Sequence, residues 1–191
     1  MEKKSKDSAL LIMDMQAGIL GNYPHTKETI AKIAKVLSHA RSMDIPVIYV
    51  VLQFRQGAPE ISMNNKIFSA VKNSVISTNI EDWVKIDAAI APKPGEIIVT
   101  KRRVSAFTGS DLELILRTKA IQHIVLTGVA TSGVVLSTLR EAADKDYNIT
   151  VLSDCCADRD EEVHRVLTTK VFPRQAEVIT SDEWIFLSNK F

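Results

Sequence analysis

The chain has 191 residues, 46% of them hydrophobic, enough to bury one sizeable core and to form a single domain over 1–191. Its 24 Lys and Arg balance 23 Asp and Glu, so no large field points to nucleic acid or to an anionic membrane, and a small molecule is the default partner. The longest early apolar run is too short for a signal peptide or a membrane span, and the only cysteines, Cys155 and Cys156, are adjacent, which excludes a disulfide framework and metal-ligand spacing; a reducing, cytoplasmic setting is expected.

The first predicted strand, Ala9 to Met13, closes on Asp14. Ile30, Ile33, Ala34 and Leu37 then recur at i, i+3, i+4 and i+7, the buried face of a helix that must stop before Pro46. A second strand, Val47 to Val51, leads into the least regular region, Gln53 to Pro94, with a short helix around Asn79 to Ala89 and the makings of a flap over a pocket. The third strand, Glu96 to Thr100, closes on Lys101. Ser110 with Glu113 has the form of a capping box opening a helix from Asp111 to Thr118. Strand His123 to Thr127 turns sharply at Gly128 to Val134 into a helix from about Ser132 to Lys145, which carries Val135, Leu139 and Ala142 inward. Strand Ile149 to Ser153 follows, then a helix capped by Asp158 and Glu161, and last the strand Glu177 to Ile179.

Nearly uniformly apolar strands that alternate with helices predict a parallel sheet covered on both faces, a three-layer, doubly wound α/β fold. In such sheets ligands collect at the carboxyl ends of strands near the topological switch point. Asp14, Lys101 and the Gly128 to Val134 turn all fall at such ends.

The blocks ALLIMDMQAGIL, VIYVVLQFR, KRRVSAFTGSDL, GVATSGVVLSTLREA and VLSDCCADRDEEVH, in that order, resemble the isochorismatase-like (cysteine hydrolase) family over nearly the whole chain. The resemblance implies a six-stranded parallel sheet, a catalytic acid at Asp14 and a catalytic lysine at Lys101. It also implies a non-proline cis peptide at Val129–Ala130, a turn including Gly133 that offers N–H groups to an oxyanion, and homo-oligomers built through sheet-flanking helices. At the position where it implies a nucleophilic cysteine, this chain has Val134.

A thiol at the first turn of a helix is acidified by the helix dipole and a nearby lysine, and an aspartate can take its proton and return it to a leaving amine. Valine has no lone pair, so covalent amide hydrolysis at Val134 is excluded. Three readings follow. In the first, which the resemblance to isochorismatases implies, the protein is a hydrolase without a covalent intermediate: Asp14 acts as general acid on a vinyl ether, Lys101 holds its charge state and water attacks. Alternatively it is a non-catalytic domain that binds a small molecule or a protein partner in the inherited, closed and mainly neutral pocket. Or Cys155 or Cys156 supplies the thiol from the neighbouring strand end, across a distance catalytic geometry rarely tolerates.

Each residue also has a plainer role. Asp14 can cap a local turn, Lys101 can be a solvated lysine beside Arg102 and Arg103, and the cysteines can be packing residues. Gln53, Phe54 and Arg55 follow the second strand, where relatives place substrate or metal groups; Arg55 suits a substrate carboxylate or, equally, open solvent. Phe107 suits an aromatic pocket wall or the core. Leu52 to Met63 contains no histidine, and His25, His39, His123 and His164 are not spaced as ligand pairs, so neither metal nor cofactor is expected.

Overall fold

The computed structural model describes residues 7–23 and 26–189. Six parallel strands form one sheet: β1 (Ser8–Met13), β2 (Val47–Leu52), β3 (Ile97–Lys101), β4 (His123–Val129), β5 (Asn148–Ala157) and β6 (Glu177–Ile179), in the order β3-β2-β1-β4-β5-β6. The chain winds outward from β1 through β2 to β3, then returns to the other side of β1 to build β4, β5 and β6. The switch point therefore lies between β1 and β4, where Met13 stands opposite Gly128.

Alternation along β1 divides the core between the two faces of the sheet. Ala9, Leu11 and Met13 pack with Leu112 and Leu116 of α5 (Leu112–Thr118) and Leu139 and Ala142 of α6 (Leu136–Asp144). Leu10 and Ile12 pack with Ile33, Val36 and Leu37 of α2 (Thr26–Ser42) and Trp184 of α8 (Ser181–Ser188). Two apolar layers explain why the strands read as unbroken hydrophobic runs. No helix among the described residues is long and apolar enough to cross a membrane.

Several elements differ from their sequence expectation. The buried face of α2 runs through Thr29, Ile33, Val36, Leu37 and Ala40, leaving Ile30 and Ala34 at its half-buried border. β5 continues past Ser153 to Ala157, because Cys155 and Cys156 alternate into opposite cores and Asp154 accepts from the N–H and hydroxyl of Ser181, each at 2.7 Å. The expected capping boxes are absent. Ser110 accepts from Leu112 N–H at 3.1 Å, while Glu113 pairs with Lys145 at 2.6 Å. Asp160, not Asp158, caps α7 (Glu161–Val166) by accepting from the N–H groups of Glu162 and Val163. A complete capping box stands at Thr180 and Glu183, opening α8. The region after β2 holds α3 (Lys66–Ser77) and α4 (Ile80–Val84), with a final turn at Ala88–Ile90.

At the switch point Gly128 has φ +128°, and a Cβ there would stand 2.0 Å from the Met13 carbonyl oxygen. Only glycine lets β4 run this close to the end of β1. The next residues of both strands are thereby brought side by side.

Candidate active site

Asp14 takes the first position after β1 with φ +57°, and its N–H donates to the Val50 carbonyl at 2.9 Å. Its left-handed backbone ends the strand and leaves the carboxyl over the sheet's carboxyl edge. Lys101, the last residue of β3, reaches back past β2, and its Nζ lies 2.9 Å from Asp14 Oδ2. Nζ also donates to the Arg103 carbonyl at 3.0 Å. Lys101 is 1% exposed and Asp14 6%, so the ion pair is fully inside the protein and the lysine is not the solvated one that its neighbours suggest.

Asp14 Oδ1 is buried with no hydrogen-bond partner. Burial raises the Asp14 pKa above the usual carboxylate range, and the adjacent Lys101 ammonium only partly opposes that rise. An acid so placed retains its proton to higher pH than an exposed aspartate, and one of its oxygens has no partner within the protein.

Two residues further on, Gln16 is fully buried and clamps β2 in both directions: its Nε2 donates to the Leu52 carbonyl at 3.0 Å and its Oε1 accepts from Leu52 N–H at 2.7 Å. This amide prolongs the β1–β2 ladder beyond the break at Asp14. Leu52 pairs with Lys101 in the sheet register, so the clamp also fixes the strand end from which the lysine projects. Gln16→Leu leaves both groups of Leu52 unpaired, at an expected cost of about 1–3 kcal/mol, to be read from urea denaturation.

On the other side of Asp14, β4 ends in a cis peptide at Val129–Ala130. A wide helical turn, Thr131–Val135, then runs into α6, interrupted at Gly133 with φ −100° and ψ −105°. The N–H groups of Gly133 and Val135 both donate to the Ala130 carbonyl, and that of Ser132 donates to Asp158 Oδ2 at 2.7 Å. Gly133 is therefore not the free oxyanion donor the sequence suggested, since its N–H is already engaged within the turn. Val134 is 2% exposed and joins the apolar core on the α5–α6 face.

Of the remaining predicted contacts, Gln53 lies beside the pair through its backbone, whereas Phe54, Arg55 and Phe107 are engaged elsewhere. Gln53 is half-buried and held by its N–H on the Lys101 carbonyl at 3.2 Å. Phe54 is a core residue beneath the flap, edge-on to Phe68 with ring centroids 5.5 Å apart. Arg55, 65% exposed at its side chain, is paired with Glu60 at 2.5 Å, and Glu60 also takes Arg102 at 3.0 Å. Phe107 packs against Tyr147 at 5.8 Å in the core, not as a pocket wall. Burial raises the pKa of both thiols, that of Cys156 to about 12, which removes the thiolate that a displaced nucleophile would require.

Tyr23, Arg159 and His164 were given no site role from sequence, and the structure sets Tyr23 close enough to Asp14 to feel its charge. Tyr23 follows α1 (Ala17–Leu20); burial raises its phenol pKa, with the Asp158 and Asp14 carboxylates acting in the same direction. The Arg159 guanidinium lies over the Tyr23 ring, 5.2 Å from its centroid, and its charge opposes that rise. His164 Nδ1 lies 2.8 Å from Thr131 Oγ1 on the turn. Arg and Tyr beside a strand-end acid are a recognisable chemical set, but only the fold shows that positions 23 and 159 meet.

Of the other histidines, His39 stands edge-on to Trp184 and His123 lies between Ser8 and Thr150; His25 lies outside the described residues. Among the described residues no group of three or more His, Cys, Asp or Glu is arranged to hold a metal ion. A groove of about 820 Å³ opens at the opposite, amino end of the sheet beside Ser8, His123 and Trp184, away from Asp14 and Lys101. Its volume does not outweigh the chemistry gathered at the switch point.

An acid and an ammonium joined at the switch point of a doubly wound α/β sheet stand where such folds generally bind their ligands. The isochorismatase domain matches residues 8–183, and the chain belongs to the isochorismatase family of hydrolases. It is 31% identical over 186 residues to the isochorismatase family protein YecD of Escherichia coli O157:H7, covering 96% of this chain and 97% of that one. It is 31% identical over 174 residues to the ureidoacrylate amidohydrolase RutB of Stutzerimonas stutzeri, covering 79% and 70% of the two chains. In fold it is similar to the cysteine hydrolase of Pseudomonas syringae pv. phaseolicola 1448A, with a TM-score of 0.89 at 23% identity over 98% of this chain and 94% of that one.

Proposed function

We propose that the protein hydrolyses a small metabolite without a covalent thiol intermediate, with Asp14 as the proton donor and Lys101 as its charged partner. One observation carries this reading: a buried carboxyl, held by an ammonium through one oxygen and unpartnered at the other. The turn after β4 carries Val134 at the position where the family resemblance implies a nucleophile. On a vinyl ether, Asp14 gives its proton to the alkene carbon and water adds to the resulting oxocarbenium ion. The proton released from that water returns to the carboxylate, and the hemiketal separates into a ketone and an alcohol. Lys101 stabilises the carboxylate while it lacks its proton. Amide hydrolysis, the reaction named for RutB, would need a nucleophile other than Val134 if it ran through a covalent acyl intermediate.

Arg159 and Tyr23 give the reading a substrate side. A guanidinium stacked on a phenol that feels Asp14 suits an anionic or strongly hydrogen-bond-accepting group on the substrate, the role the sequence offered to Arg55. Arg159→Ala is expected to raise KM by roughly tenfold with a smaller change in kcat, measured by steady-state kinetics. A homo-oligomer belongs to the same reading. The exposed Met63, Ile67 and Val71, four residues apart along α3 and its approach, offer an apolar strip for it, and sedimentation velocity should show a species heavier than 21.2 kDa.

The test is a turnover screen on isochorismate, simple vinyl ethers and small amides, with wild type beside Lys101→Ala and Val134→Cys. Turnover of a vinyl ether by wild type, lost in Lys101→Ala, supports the proposal. The competing reading, a domain that only binds, draws on the burial of Val134 among core side chains. It requires wild type to be inert on the whole panel while Val134→Cys gains amidase activity.

A further inference from the structure

One short stretch of chain holds the turn beside Asp14 from outside. Thr131, the first residue of the turn, is fully buried, and its hydroxyl meets His164 Nδ1 of α7 at 2.8 Å. One residue later, Ser132 N–H donates to Asp158 Oδ2 at 2.7 Å, while the other carboxylate oxygen of Asp158 accepts from Arg159 N–H at 2.8 Å. Both restraints come from residues 158–164, the connection out of β5. A hydroxyl against an imidazole has the composition of an activated nucleophile. With Thr131 fully buried, however, no substrate reaches that hydroxyl, and its bond to His164 can only hold the turn.

The turn has a break in its own geometry. Gly133 departs from helical φ/ψ, the N–H groups of Gly133 and Val135 share the single carbonyl of Ala130, and Leu136 N–H closes the turn on the Thr131 and Gly133 carbonyls. Core packing of Val134 and Val135 anchors one side of this turn, bonds from residues 158–164 hold the other relative to Asp14, and displacement of about 1 Å at a reacting centre can cost up to about a hundredfold in rate. We infer that His164 is a positioning residue, which through Thr131 sets the turn, and with it Val134, at one distance from the Asp14 carboxyl. Burial lowers the imidazole pKa against the pull of Asp158 and Glu161, which suits a neutral ring that exchanges a hydrogen bond with a hydroxyl.

The kinetic consequence rests on the reaction proposed at Asp14, whereas the geometric one does not, and a thiol placed at the turn reads the latter directly. In the Val134→Cys protein, the pH midpoint of iodoacetamide alkylation reports how the thiol sits against the helix end and Lys101. Adding His164→Ala is expected to move that midpoint by about half a pH unit or more. Adding His164→Asn, whose amide occupies the place of Nδ1, should restore it, and His164→Gln should not. Coincident profiles for all four proteins, each folded by circular dichroism, would overturn the inference. In the otherwise wild-type chain, His164→Ala should lower kcat roughly tenfold with KM within about twofold, again recovered by Asn. A lowered melting temperature with unchanged kcat would also overturn it, by assigning His164 to stability alone. Absence of wild-type turnover counts against the proposed function and leaves the alkylation result decisive for His164.

Discussion

Asp14→Asn should reduce turnover by at least about a hundredfold, the usual contribution of a positioned general acid, while the fold persists. Asparagine is at ease at φ +57°, and its amide oxygen can still accept from Lys101 Nζ, so the backbone break at the end of β1 and the seat of the lysine are both kept. Only the transferable proton is lost. The pH dependence of stability should change as well. Because burial raises the Asp14 pKa in the folded protein, the native state binds the extra proton, and the resulting stability is complete below the ordinary carboxylate range and is lost as pH rises through the raised value. Urea unfolding at a series of pH values should show that decline in wild type and a flatter profile in Asp14→Asn. An Asp14→Asn protein that keeps full activity would remove Asp14 from the chemistry.

Lys101→Met should destabilise the protein by about 3–5 kcal/mol at neutral pH, the cost of leaving one partner of a buried pair without the other. Methionine retains most of the apolar stem, so the loss is that of the ammonium. Asp14 then has neither oxygen satisfied, and the Arg103 carbonyl loses its donor. The penalty should shrink at low pH, where Asp14 is neutral, and part of it should be recovered in the double variant Asp14→Asn/Lys101→Met. A double-mutant cycle from denaturant unfolding isolates that coupling. A loss below about 1 kcal/mol would place the pair in the class of solvent-screened ion pairs, contrary to its burial.

The strands and their chemistry were legible because both signals are local. Apolar runs that end on Asp14 and Lys101 announce a buried parallel sheet, and a polar residue at the end of such a run is conspicuous. What escaped was set by tertiary packing. Arg55 and Arg159 both follow strands and carry the same group; only the fold shows that one is taken by Glu60 and the other lies over Tyr23 near the acid. Phe54 follows the second strand among the candidate substrate contacts and Phe107 suits a pocket wall in sequence, but their ring partners, Phe68 and Tyr147, place both in the core. The capping signals failed for a related reason. Glu113 and Asp158 each found a stronger distant partner, Lys145 and the Ser132 N–H, than the local helix end offered. Thr180 and Glu183, by contrast, were a local signal that could have been read from the sequence.

The pH dependence of wild-type kcat/KM on a vinyl-ether substrate tests the thiol-free acid mechanism most directly. The account predicts a rate that falls as pH rises, governed by one group above the ordinary carboxylate range, and unaffected by Cys155→Ala or Cys156→Ala. A rate that instead rises through the thiol range near about 8.5 and disappears in either cysteine variant would contradict it.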